Sequence, residues 1–147
     1  MLLARSEAAD RGWTSEIANT NVLYQEGITQ SFLQWGLSPP NVAYFNHVNV
    51  ALPETPGTGA NIVQIATQQY LAFYPNGVQG WSNWRRIGYP VLLPATDARN
   101  NPPTIPRRYK YGPADIDLTP EGVKEAVARL PGGDEMESRI WWDRENK

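Results

Sequence analysis

Trp81-Ser82-Asn83-Trp84-Arg85-Arg86-Ile87-Gly88-Tyr89-Pro90 is the stretch on which the reading of this chain turns. The tryptophans stand three residues apart and Trp81 stands four from Arg85, so all three share one helix face and a guanidinium can lie over an indole. Gly88 and Pro90 close that helix. One reading is an aromatic platform for a sugar ring, with arginines donating to its hydroxyls. The other is a buried knot whose arginines satisfy helix C-terminal carbonyls and a carboxylate. Aromatics at helical spacing usually pack inward, so the packed reading is favoured.

Working outward, Ile62, Ile65, Ala66, Tyr70 and Phe73 mark a helix that Pro75-Asn76-Gly77 ends. Residues 2 to 12 are good helix formers, with Met1, Ala4 and Ala8 on one face, small enough for a close helix neighbour, and Gly12 as the stop. Asn19 or Thr20 is placed to cap the next helix, in which Tyr24, Ile28, Phe32 and Trp35 recur at helical spacing before Gly36. These two helices form a hairpin, the unit of tetratricopeptide-type solenoids, although no clean repeat of that period runs through the chain. Between Ser38 and Gly59 four prolines, two glycines and Tyr44-Phe45-Asn46-His47 predict a long ordered surface excursion. Residues 91 to 117 read as irregular. Thr119-Pro120-Glu121 starts a last helix, with Val123, Val127 and Leu130 as its inner face and Pro131-Gly132-Gly133 as its end. No alternating strand pattern is present, so the expected class is mainly α: tetratricopeptide-like helix pairs with long irregular loops, an α-α superhelix, in one region spanning 1–147.

Composition narrows the chemistry. With 41% hydrophobic and 19% charged residues the chain is globular and not disordered. Thirteen basic against fifteen acidic residues leave a formal net charge of −2, which gives a nucleic acid no global attraction. There is no cysteine and His47 is the one histidine, so thiol nucleophiles, thiolate or multi-histidine metal sites and haem attachment are excluded, and no cofactor is expected. Arg5, Glu7 and Asp10 interrupt the apolar start before a signal peptide can form, and no stretch approaches the roughly 20 apolar residues of a membrane span.

Two further segments invite function. Ile105-Pro106-Arg107-Arg108-Tyr109-Lys110-Tyr111 interleaves arginines and aromatics as single-strand binders do, but in an acidic chain an extended segment anchored by ion pairs is the better reading. Asp134, Glu135 and Glu137 lie close before Arg139-Ile140-Trp141-Trp142-Asp143, where Arg139 can pair with an acid. Paired carboxylates are what a glycosidase needs, yet acids on a short tail are usually solvated. His47 reads as a loop hydrogen-bonding residue and not a general base. No catalytic set and no phosphate-binding lysine loop emerges, so a binding protein is expected and not an enzyme.

The segments Leu2 to Trp13, Tyr24 to Ile28, Gln69 to Gly77, Gly80 to Pro90, Ile105 to Arg108 and Arg139 to Asp143, in that order, resemble the C-terminal part of SusD/RagB-type nutrient-binding outer-membrane lipoproteins, the SusD-like group. The resemblance implies an almost wholly helical glycan-binding protein, anchored to the outer face of the outer membrane by a lipidated cysteine and lying over a SusC-like TonB-dependent transporter. It also implies that the chain is a fragment: the family is several times longer, and the lipid-bearing N-terminal portion would lie outside these residues. A fragment should expose apolar surface on its first helix pair. Where the family usually carries an acid before the double arginine this chain has Asn83, which removes one expected ion pair. The glycan-contacting aromatics of the family lie largely upstream or in variable loops, so Tyr44, His47, Trp81, Trp84 and Arg85 stand as ligand-binding candidates on their residue chemistry alone. A tetratricopeptide-type protein interaction module is the alternative, and a carboxylate glycosidase the third.

Overall fold

In the computed structural model, which describes residues 1–143, two compact units form, Met1–Pro90 and Val91–Lys147. In the first, helix α1 (Leu2–Asp10) is followed by a 3-10 turn (Ile17–Asn19) and α2 (Thr20–Gln34). The chain then passes through the short α3 (Val42–Phe45) to a second pair, α4 (Ile62–Ala72) and α5 (Gly77–Ile87). Helix α1 packs on both α2 and α4, and α4 on α5.

The inward face of α1 differs from the one its small residues suggest. Leu3, Ser6, Glu7 and Asp10 are buried, whereas Met1 and Ala4 are exposed. Polar groups take the inner face because each finds a partner there. Ser6 donates to the Thr20 carbonyl at 3.0 Å, and Asp10 accepts the Asn61 backbone N–H at 3.1 Å and its side-chain amide at 2.7 Å. The close approach of the two helices comes from the other side: a Cβ on Gly27 would lie 2.7 Å from Leu3 Cγ and 3.1 Å from the Leu3 backbone nitrogen. Gly27→Ala therefore sets an overpacking cost of about 1–3 kcal/mol against a propensity gain of ~1 kcal/mol. A net loss of roughly 1 kcal/mol in urea denaturation is expected, and a more stable variant would show that α1 can move away without penalty.

Helix α2 buries Tyr24 and Ile28, half-buries Phe32 and ends at Gln34; Trp35, just past its end, is exposed, and Gly36 turns the chain at φ +69°. Neither Asn19 nor Thr20 caps it with a side chain; the Thr20 hydroxyl donates back to the Ile17 carbonyl at 2.8 Å. The core gathers Leu3, Tyr24, Ile28, Val50 and Ile65 with Phe32, Tyr44 and Phe45 around them. The excursion between the helix pairs is fastened to that core: Tyr24 Oη donates to the Val50 carbonyl at 2.7 Å, and the Gly59 N–H donates to the Asp10 carbonyl at 2.6 Å.

Gly77 does not end α4 by a positive φ; it opens α5, which Asn76 caps by accepting the Gln79 N–H at 3.1 Å. Gly88, at φ +88°, closes α5 as its position demands. Val22, Leu33, Trp35, Leu37 and Leu71 are exposed apolar residues of this unit.

The second unit contains α6 (Pro113–Leu118) and α7 (Pro120–Ala128). The first of these lies in the stretch read as irregular, because its six residues carry no apolar stripe and all are exposed. Thr119 does not cap α7 with its side chain; its hydroxyl donates to the Asp115 carbonyl at 3.0 Å. Val123, Val127 and Leu130 are half-buried. Among the described residues there is no strand, and no helix is long and apolar enough to cross a membrane.

Candidate functional site

The double arginine of α5 meets its carboxylate on α1. Arg86 Nη1 donates to Glu7 Oε1 at 2.7 Å, and Nη2 to Oε2 at 2.6 Å. Arg11 Nε adds 3.1 Å to Oε1, and the Gln69 amide of α4 adds 3.0 Å to Oε2. Asn83 holds the other side: its Oδ1 accepts from Arg86 Nη2 at 2.8 Å while its Nδ2 donates to Gln69 Oε1 at 2.8 Å. An amide at position 83 thus keeps the hydrogen bond to Arg86 that an acid would make, without the charge. Glu7 is 3% exposed. Burial opposes its ionisation, but the hydrogen bonds from Arg86 and Gln69 and the charges of Arg86 and Arg11 outweigh that cost and hold its carboxyl below the ordinary value. A carboxylate held in this way has no proton to give at neutral pH. Its work is to lock three helices together.

The spacing argument for Trp81 and Arg85 is realised: Arg85 Cζ lies 3.5 Å from the centre of the Trp81 ring. Arg85 and Trp84 are buried and Trp81 half-buried, with Trp84 Nε1 donating to the Pro90 carbonyl at 3.2 Å. Tyr44 and His47 belong to another element, α3 and the turn after it. The Tyr44 ring stands edge-on to Phe32, centroids 5.4 Å apart, and its hydroxyl bonds to Gln68 Oε1 at 3.3 Å. His47 is exposed, and its Nδ1 accepts the Asn49 N–H at 3.2 Å.

The cleft of this unit lies elsewhere. A cavity of about 410 Å³ opens between the start of α1 and the C-terminal halves of α2 and α4, with Gln30, Ser31, Gln34, Gln69, Asn83 and Arg86 supplying its polar wall. Past Gln34 and Phe73, which both line it, Trp35 and Tyr74 meet with ring centroids 5.6 Å apart at 51°. None of the five residues named from sequence lines this cavity. The available signal was the run of polar residues Gln30, Ser31 and Gln34, within one turn of one another on α2.

In the second unit Arg107 grips buried Asp143 with two hydrogen bonds of 2.6 Å, and Arg139 adds a third at 3.0 Å. Arg108 pairs with Asp134, which also accepts the Tyr111 N–H at 3.2 Å, and Lys110 pairs with Glu135. The basic segment is thus anchored by ion pairs, as its reading requires. Of the tail acids, expected to be solvated, Glu135 is exposed, whereas Asp134 and Glu137 are half-buried and hydrogen-bonded. Arg108 lowers Asp134, and hydrogen bonds from Asn100 and Thr104 lower Glu137, so neither carboxyl carries the raised pKa of a glycosidase acid. A cavity of about 420 Å³ lies beside Arg129, Leu130, Arg139 and Trp141. Among the described residues no group of three or more acidic or histidine side chains is placed to hold a metal ion.

Residues 1–112 match a SusD-like family model described as "Starch-binding associating with outer membrane". Among solved structures, a chitin-binding protein is 31% identical at a TM-score of 0.72, covering 98% of this chain and 32% of its own. A SusD-like protein of Bacteroidetes AC2a is 28% identical at a TM-score of 0.81, over 98% of this chain and 29% of that one. A chitin-binding SusD homolog from Flavobacterium johnsoniae is 28% identical at 0.76, over 99% and 35%. The chain therefore spans about a third of the length of these solved proteins, and it shares the all-helical, tetratricopeptide-like fold of the SusD-like ones. No curated protein matches it.

Proposed function

This chain belongs to the SusD-like family described as starch-binding and associated with the outer membrane, and from that membership we propose that the polypeptide containing residues 1–147 captures oligosaccharide at the cell surface without hydrolysing it. The observation that carries this reading is the family match over residues 1–112. On this reading residues 1–147 supply the C-terminal region of a larger helical domain. A lipid anchor outside these residues holds it to the membrane, and a SusC-like TonB-dependent transporter takes the captured sugar.

Calorimetric titration of the whole natural polypeptide with maltoheptaose and with N-acetylchitohexaose tests the proposal. Saturable binding of either sugar with no new reducing ends after prolonged incubation is the expected result. Binding of neither sugar, alongside tight binding of a peptide partner, would replace it with a tetratricopeptide-type interaction module. Turnover that disappears on replacing Asp134 or Glu137 would replace it with a glycosidase.

A further inference from the structure

We propose that residues 51–60 form a latched strap that opens and closes as one unit, with the buried carboxylate of Asp10 as its latch. The inference goes beyond the capture reading and does not depend on it. The strap runs between two fixed points. At the near end Val50 is buried in the core, and its carbonyl accepts from Tyr24 Oη at 2.7 Å. At the far end Asn61 is buried and stands at the start of α4. No residue from 51 to 60 is fully buried, and Leu52 packs against the core cluster from outside. Lifting this stretch therefore exposes little apolar surface, and hydrogen bonds carry most of what holds it.

Those bonds join two helix ends far apart in sequence. Asp10 is the last residue of α1, and its carboxylate accepts the Asn61 N–H at 3.1 Å and the Asn61 side-chain amide at 2.7 Å. Both donors lie at the positive end of the α4 dipole, where a negative charge is stabilised. Asn61 makes no side-chain cap of its own, and its Oδ1 instead accepts the Glu54 N–H at 2.9 Å. Asp10 thus caps α4 from another helix. In return the strap closes α1. The Gly59 N–H donates to the Asp10 carbonyl at 2.6 Å, satisfying one of the carbonyls that a helix leaves open at its end. The Gly57 carbonyl lies so near that a Cβ on Gly12 would stand 2.9 Å from it.

The shared amide of Asn61 makes these contacts interdependent. Its Nδ2 is divided between Asp10 Oδ1 and the Glu54 carbonyl, the latter at 3.0 Å, while its Oδ1 holds the Glu54 N–H. When the carboxylate lets go, the amide loses the contact that sets its orientation. Both bonds to Glu54 weaken with it, and the loop that carries Gly57 and Gly59 loses its far anchor. The end groups of α1 and α4 are exchanged through one short segment, so they are made together and lost together.

Amide hydrogen exchange on the whole natural polypeptide tests this. In the unaltered protein the Glu54, Gly59 and Asn61 amides should share a common protection, within about tenfold of one another and below that of Tyr24 and Ile28 in α2. Asp10→Ala should speed exchange at all three by roughly tenfold or more, the scale of a lost helix cap, with Tyr24 and Ile28 unchanged. Gly59 and Glu54 decide the matter, because the variant keeps the carbonyl that Gly59 bonds and the side chain that Glu54 bonds. Asn61→Asp, which sets two carboxylates against each other, should open the strap as Asp10→Ala does. The reversed pair Asp10→Asn/Asn61→Asp puts a donor opposite an acceptor again and should recover most of the protection. If Asp10→Ala does not fold, Asp10→Asn is read at the same amides. Acceleration confined to Asn61 would make Asp10 a helix cap and nothing more, which overturns the strap. Equal acceleration at Tyr24 and Ile28 would make residues 51–60 part of the global core and overturns it as well. Failure of the polypeptide to bind sugar leaves the strap untouched.

Discussion

Glu7→Ala should cost the unit of residues 1–90 about 3 kcal/mol at neutral pH, the lower end of what breaking a buried ion pair costs. The substitution removes the acceptor shared by Arg86, Arg11 and Gln69, leaving Arg86 with Asn83 Oδ1 and the Gln69 amide with the Leu3 carbonyl at 3.2 Å. Arg86 is 40% exposed and can recover some hydration, which is why the lower end is expected. Denaturant titration of the whole chain measures the loss, and a midpoint unchanged from wild type would show that the three-helix lock carries no net stability. The pH dependence has a definite sign. The folded-state pKa of Glu7 lies below its ordinary value, so its stabilisation is fully present above the unfolded value near 4.3 and is lost as pH falls through the lowered folded value. The gap between wild type and Glu7→Ala should therefore close in acid. A gap that widened below pH 4 would contradict the assignment.

Asp143→Ala should have an effect of similar size, about 3 kcal/mol, within the second unit. Asp143 is buried and takes three hydrogen bonds from Arg107 and Arg139, so its removal leaves two guanidiniums facing each other. The consequence is larger than the number alone suggests. All fully buried apolar residues among those described belong to residues 1–90, whereas the buried residues of the second unit are Arg108, Ser138 and Asp143. Little hydrophobic burial is present there to offset a lost ion-pair centre. Hydrogen exchange should show it: the Arg107 and Arg108 amides, bonded to the Met136 carbonyl at 2.7 and 3.1 Å, should exchange much faster in the variant. Unchanged protection at both amides would mean that α7 and the turns hold this unit without Asp143. Arg107→Lys, with Asp143 intact, should show only part of that loss, since an ammonium keeps the charge but cannot make the paired contact.

Much of the helical layout was legible. The stripes of α2, α4 and α5 were read from spacing, and Gly36 and Gly88 stop helices where a left-handed residue is required. The i,i+4 step from Trp81 to Arg85 foretold a ring contact found at 3.5 Å. Other features escaped the periodicity. The inner face of α1 was assigned to Met1, Ala4 and Ala8 because small apolar residues are the usual mark of burial, and the helix instead buries Ser6, Glu7 and Asp10. The short α6 carries no stripe to detect. The tail acids were expected in solvent because their partners, Arg107, Arg108, Asn100 and Thr104, lie 26 to 37 residues upstream.

The sequence by itself determined where the longer helices α1, α2, α4, α5 and α7 lie, that the first two pair, and that the aromatic double-arginine segment of α5 is packed. Those properties depend on neighbours within one or two helical turns, where sequence spacing fixes distance. Only the tertiary structure decided which charges are buried and which aromatics are left outside. Glu7 is tolerated in the interior because Arg86 stands 79 residues away in sequence yet 2.6 Å away in space. Trp35 stays at the surface although it follows Phe32 by three residues in the same stripe. A buried charge is stable only with its partner in place, and no local period records where that partner will come from.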